Sequence, residues 1–242
     1  ACLVGSEMCI RDRLHVAQQL TVGTSGNRTF GITPPFPTGI DVSNSWMWPM
    51  GAEFFDRELS QSLLTSPASV VAHQYMADLF GKYHVAPLPS DPPPKDGIAS
   101  SRIGMALILR QTAVTFDQAH FEQGMAPAPK GIGGRVIRAA PHSGGVLKAS
   151  KNLDAAYALV AFFTSVTAQQ TWTSSFPGSV PVRQSMADSP DFLKGLRPWE
   201  KAAVYRQSNE LLRVTQLVPK SPDMDTLLTG AQTKMQLAQQ LS

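Results

Sequence analysis

The chain has 242 residues, 43% of them hydrophobic and 16% charged, with a formal net charge of +3. That composition supplies one large domain or two small ones with a packed core, and it excludes wholesale disorder. The Lys and Arg residues are scattered, with no basic run that would track phosphates, so nucleic-acid binding is not expected. No apolar stretch approaches the length of a membrane span.

Both cysteines, Cys2 and Cys9, fall in the opening segment ACLVGSEMCIRDR. Residues 1–13 have neither the layout of a signal peptide nor a helical period. They resemble a translated sequencing adapter and are expected to be non-native. A Cys2–Cys9 disulfide or a lipid anchor on Cys2 is the alternative. Leu14 to Leu20 then predicts the end of a helix, Thr21 to Arg28 a polar turn, and Thr29 to Thr33 a short buried strand. Pro34, Pro35 and Pro37 forbid regular structure after it.

Ser43 to Asp56 (SNSWMWPMGAEFFD) sets Trp46 and Trp48 around a single residue. An indole face stacks on the C–H patches of a sugar ring, but it also serves as a core anchor under a loop. Ser66-Pro67 predicts a helix start, with Ser66 capping and Pro67 in the first turn. Val71, Tyr75, Met76 and Leu79 form its expected buried stripe, and Gly81 its stop. His73 and His84 lack the matched partners a metal site needs. A Pro-rich connection, Leu88 to Gly97, leads to Met105–Leu109, five apolar residues that suit a strand covered on both faces. Arg110 and Gln111 follow. A guanidinium and an amide there suit a hydroxyl-rich or anionic solute, whereas an Arg110–Asp117 ion pair is the plainer reading.

The central stretch runs from Phe121 to Trp172. Met125 to Pro129 leads into a Gly/Pro turn ending at Gly134, and Arg135 to Ala140 is extended. Ser143-Gly144-Gly145 either brings bare backbone close to a ligand or makes a turn. An amphipathic helix begins near Asp154, with Asn152 or Asp154 as cap and Ala155, Ala156, Leu159, Val160 and Phe163 on one face. Thr164-Ser165 restarts the chain into a short helix carrying Trp172. Beyond the connection SSFPGSVPVR, which holds Phe176 and Ser179, the remainder is expected to be helix-rich. Its last helix, Asp225 to Leu241, buries Leu227, Leu228, Met235 and Leu237. No nucleophile elbow, phosphate loop or dinucleotide fingerprint is present. Glu53, Asp56, Asp117 and Glu122 are available as paired acids, but nothing in their spacing argues for glycoside hydrolysis.

In their order and spacing, several of these segments resemble an extracellular solute-binding protein of an ABC importer, of the sugar-binding type. The resemblance rests on Ala126-Pro127-Ala128-Pro129-Lys130-Gly131, on Ser143-Gly144-Gly145 and on Lys148 to Asn152. It extends to Phe162-Phe163-Thr164-Ser165 with Ala168-Gln169-Gln170, to the Trp46–Asp56 segment, and to Gly178, Pro181, Val182 and Arg183. It implies an α/β, two-lobed periplasmic-binding-protein-like (type II) fold, truncated at its N-terminus. Residues 14–124 and 176–242 would belong to the C-terminal lobe and 125–175 to the N-terminal lobe. It further implies capture of a sugar-like solute by domain closure, without cofactor, metal or covalent chemistry. The protein would be a monomer on the periplasmic or extracellular face of the cytoplasmic membrane, delivering to the permease subunits. The ligand contacts expected are Trp46, Trp48, Arg110, Gln111, Ser143, Gly144 and Gly145, with Phe176 and Ser179 at the edge. A glycan-acting hydrolase and the effector-binding module of a regulator are the rival classes.

Overall fold

In the computed structural model, residues 9–24, 27–33, 40–88, 91, 102–113, 121–139, 141–176, 178–214 and 230 are described. They belong to two compact units. One comprises Ala1–Leu107, Pro127–Ala140 and Glu210–Ser242, the other Ile108–Ala126 and Pro141–Asn209. The chain therefore changes unit at 108, 127, 141 and 210.

The first unit is built on three helices. Helix α1 (Ile10–Leu20) ends where the sequence placed its end, but it starts inside the adapter-like segment. Cys9, at its N-terminus, has a free, buried thiol, and its backbone forms an isolated β-bridge with Lys130. Arg13 is buried against the core. Residues 9–13 pack with the first unit in this structure.

Helix α2 (Ile40–Met47) runs into a single tight turn, Trp48–Met50. Helix α3 (Pro67–Gly81) is capped as expected: the Ser66 hydroxyl accepts from Ser69 N, and Pro67 occupies the first turn. Its buried face is Ser69, Ala72, Met76, Leu79 and Phe80, while Val71 is 54% exposed. Met76 and Leu79 are buried as expected and Tyr75 packs partly buried against the core, while Ala72 takes the place expected of Val71. Small Ala72, not branched Val71, is what lets α3 lie close to its neighbours. The positive φ after this helix falls on His84 (52°), and Gly81 remains helical.

The core of this unit gathers Ala17, Ile32, Trp46, Met47, Ala52, Phe54, Met76, Leu79 and Val85. Phe30 and Ile32 are buried on an extended segment, as expected of Thr29–Thr33. Its partners are single bridges, Phe30 with Ile103 and Val22 with Thr29, so no ladder forms there. Met105 to Leu109 is only half-buried and irregular, which corrects the expected doubly covered strand. The regular strands among the described residues are β1 (Ile137–Ala139) and β2 (Leu212–Val214). They pair in parallel with Ile137, Arg138 and Ala139 opposite Leu212, Arg213 and Val214.

The second unit holds helices α4 (Arg110–Ala113), α5 (Leu153–Phe163), α6 (Val166–Ser175), α7 (Gln184–Ala187), α8 (Pro190–Lys194) and α9 (Ala202–Asn209). Ser165 caps α6 through Ala168 N, and Ser189 caps α8 through Phe192 N ahead of Pro190. Its buried apolar side chains include Ala168, Met186, Ala187, Phe192 and Val204. Helix α5 follows Asn152 as expected, but it buries no residue. Leu153, Tyr157, Leu159, Phe162 and Phe163 are all exposed. Among the described residues no helix is long and apolar enough to cross a membrane. The expected last helix, the Pro-rich connection beyond Asp91, Cys2 and Asp117 lie outside the described residues.

Candidate functional site

The Trp48 turn is held by the Gly-rich turn that sequence analysis singled out. Gly133 N donates to Pro49 O at 2.8 Å. A Cβ on Gly131 would collide with the Pro49 carbonyl, and one on Gly133 with that of Trp48. Glycine is required at these two positions because backbone lies directly on backbone. Gly51, with φ 76°, closes the Trp48 turn by donating to Trp48 O at 2.9 Å.

Around this turn the first unit assembles a polar cluster. Trp48 Nε1 donates to Glu53 Oε2 at 2.9 Å. Arg213, on β2, pairs with Glu53 Oε1. Its guanidinium carbon lies 4.5 Å from the centroid of the Trp48 ring, a cation–π contact. The side chains of Arg213 and Glu53 keep 39% and 29% of their exposure, so this ion pair is open to water while Trp48 itself is buried. Trp46 is equally buried. It belongs to the core cluster, and Arg13 covers its ring at 4.0 Å. Burial pushes the Arg13 pKa down, and its Nε has no hydrogen-bond partner. The face that sequence reasoning reserved for a sugar ring is taken by that guanidinium.

The remaining expected contacts fall in the second unit. Arg110, at the start of α4, donates to both oxygens of Glu200, at 2.7 and 3.2 Å, and to Ser179 O at 2.7 Å. Its ion pair is buried, with side-chain exposures of 7% and 0%. The expected ion pair of Arg110 is therefore real, but Glu200 is a partner for it that lies ninety positions along the chain. Arg197 donates to Glu200 through N, at 2.8 Å, and through Nη1, at 3.3 Å. The Tyr205 hydroxyl donates as well. Burial pushes the Glu200 carboxyl up, but these donors and the charge of Arg110 outweigh it and hold the pKa at about 2. Burial, then the bond to Glu200, pushes Tyr205 upward.

Ser179 Oγ accepts from Trp172 Nε1 at 3.1 Å. Phe176, 53% exposed, stacks on Trp172 with centroids 4.6 Å apart, and His142 approaches the same indole at 6.0 Å. Gln111 is exposed, and its backbone is pressed by Gly178, which has no room for a Cβ. Ser143, Gly144 and Gly145 are exposed, with nothing near either glycine. A hollow of about 510 Å³ beside Arg110 is lined by Gln170, Thr171, Ser174, Asp191 and Phe192. The second unit thus joins Arg110 and Ser179 directly, brings Phe176 to Trp172, the partner of Ser179, and sets Gln111 next to Arg110 in sequence. Trp48 and Trp46 lie in the other unit. Arg213 and Trp172 were not anticipated as site residues. A three-residue strand carries no periodicity that would have revealed Arg213, and Trp172 shows only as one aromatic on a polar helix. Among the described residues no group of His, Cys, Asp and Glu is placed to hold a metal ion.

The model of the bacterial extracellular solute-binding protein family matches residues 32–170, which is more than half of the chain. The chain belongs to this family. No curated protein matches it. Solved structures do. An ABC substrate-binding protein from Listeria monocytogenes, in complex with cycloalternan, superposes with a TM-score of 0.74 at 17% identity, covering 98% of this chain and 60% of that one. The maltose/maltodextrin-binding domain of Bdellovibrio bacteriovorus, bound to maltotriose, gives 0.66 at 13% identity, covering 98% and 62%. A cyclic α-maltosyl-1,6-maltose binding protein from Arthrobacter globiformis gives 0.63 at 19%, covering 86% and 54%. The α/β solute-binding-protein fold class expected from the sequence is therefore borne out. The chain spans about 60% of the length of the Listeria protein.

Proposed function

We propose that the complete protein is the substrate-binding component of an ABC importer, outside the cytoplasmic membrane, and that it captures a small hydrophilic solute by domain closure. The observation that carries this reading is the family match over residues 32–170, which takes in both the Trp48 turn and Ser143–Gly145. Neighbours that bind maltotriose and cyclic glucans support a sugar-like solute. The permease subunits of the importer are the macromolecular partner, and the bound protein acts without covalent chemistry.

The contacts we assign are narrower than the sequence suggested. Gln111, Phe176 and the open backbone of Ser143, Gly144 and Gly145 are accessible to a ligand, whereas Trp48 is buried behind the half-exposed Arg213–Glu53 pair. Arg110 and Ser179 are engaged within the protein and shape the surface without touching solute. Trp46 is a core residue. Glu53, a possible acid for the hydrolase alternative, is held by Trp48 and Arg213. The family and the neighbours favour binding over hydrolysis or regulation.

The test is thermal unfolding of the complete protein against a panel of sugars and polyols. A captured solute at a hundred times its Kd stabilises the protein by about 2.7 kcal/mol, which raises Tm by several degrees. Release of reducing sugar from a glycan, abolished by Glu53→Gln, would refute the reading.

A further inference from the structure

This inference rests on the solute-capturing reading and concerns the kind of solute. Arg138 and Arg213 are register partners across β1 and β2, so their side chains project from the same face of the pair. Like charges set side by side on a sheet repel one another. Among the described residues a single carboxylate answers them, Glu53 on Arg213. Among the described residues Arg138 enters no ion pair. Arg135 precedes β1 on the same segment, two residues beyond the glycine that packs on Trp48. It is 9% exposed, and its Nε and Nη2 are buried without a hydrogen-bond partner. A guanidinium withdrawn from water without an acceptor is unfavourable. Among the described residues, the Arg138–Arg213 face is therefore answered by Glu53 alone, and the two buried nitrogens of Arg135 on the adjoining segment by no acceptor.

We propose that the Trp48 turn and the β1–β2 pair form a binding site for an anionic group, so that the captured solute is a sugar or polyol carrying a phosphate or a carboxylate. Guanidinium groups match both anions through paired N–H donors. Glu53 keeps Arg213 over the indole while the site is empty and competes with the ligand for it.

Calorimetric titration of the complete protein with glycerol 3-phosphate, glucuronate and inorganic phosphate, beside neutral glycerol and glucose, tests this. The expected result is that glycerol 3-phosphate or glucuronate binds at least about tenfold more tightly than its neutral counterpart, with affinity falling as salt rises. The preferred probe tells phosphate from carboxylate, and inorganic phosphate tells whether the anion alone suffices. Arg138→Gln should weaken the charged probe about tenfold, Arg138→Lys less, and Glu53→Gln should strengthen it. An equal Tm in the absence of probe shows that the variants fold. Glucose or glycerol binding as tightly as the charged probes, with Arg138→Gln without effect, overturns the inference and leaves solute capture standing. Failure of every probe, charged and neutral, also overturns it, and solute capture then rests on the wider sugar panel.

Discussion

Arg110 and Arg213 have similar surroundings and opposite circumstances. Each pairs with a glutamate and lies over an aromatic ring, Phe192 at 5.2 Å for Arg110 and Trp48 at 4.5 Å for Arg213. Around Arg110 the charges are buried, and one carboxylate, Glu200, pairs with both Arg110 and Arg197. Glu200 also accepts from Arg197 and Tyr205, and its side chain has no exposure. Around Arg213 the pair is open to water. A buried network fixes a fold, whereas a half-exposed one is free to meet something from outside. This difference teaches that the residue type foreseen at a binding site, an arginine at the end of a buried run, says less than how far its ion pair is withdrawn from water.

The sharpest way to break the comparison is to remove both glutamates in turn. Glu200→Gln leaves Arg110 and Arg197 buried without a counter-charge and should cost about 3–5 kcal/mol in urea unfolding. Glu53→Gln, at a half-exposed pair, should cost less than about 1 kcal/mol. Equal losses would show that the two clusters play the same part.

Acid offers a second separation. Glu200 is held at about 2, below its ordinary 4.5. Its stabilising contribution is therefore complete above pH 4.5 and is lost as pH falls through 2. Protection of α9 amides against hydrogen exchange should decline over that window, and in Glu200→Gln the decline should be absent. Next in size, Gly133→Ala should destabilise by about 1–3 kcal/mol, because the new methyl meets the Trp48 carbonyl. It should also alter Trp48 fluorescence, whereas Gly144→Ala, in open space, should change neither. The smallest effect is expected on α5. Phe162→Ser should shift stability by less than about 0.5 kcal/mol while increasing solubility. A loss of several kcal/mol would mean that this face is covered in solution.

Much of the local structure was legible from residues whose chemistry acts over one or two turns. Ser66-Pro67, Ser165 and Asn152 mark helix starts because caps and proline geometry are local. The Gly-rich turn was legible as a turn, but its purpose was not. That Gly131 and Gly133 must admit the backbone of Pro49 and Trp48 depends on a meeting between segments some eighty positions apart. The same limit explains the stripe of α3, where Val71 looked more apolar than Ala72 but close packing chose the smaller side chain. It explains Arg110 too, whose acid was sought nearby at Asp117 when Glu200 is brought to it by the fold. The family was recognisable because the order of several weak segments is itself information. The site was only partly so, since hydrophobic residues such as Trp46 serve cores and ligands alike.

The bare apolar ridge of α5 has a consequence for the chain inside a cell. Exposed Leu159, Phe162 and Phe163 are the kind of surface that holdase chaperones grip and proteases follow. As long as nothing covers that ridge, the amount of this polypeptide that persists will be set by quality-control triage rather than by how tightly its buried residues hold together.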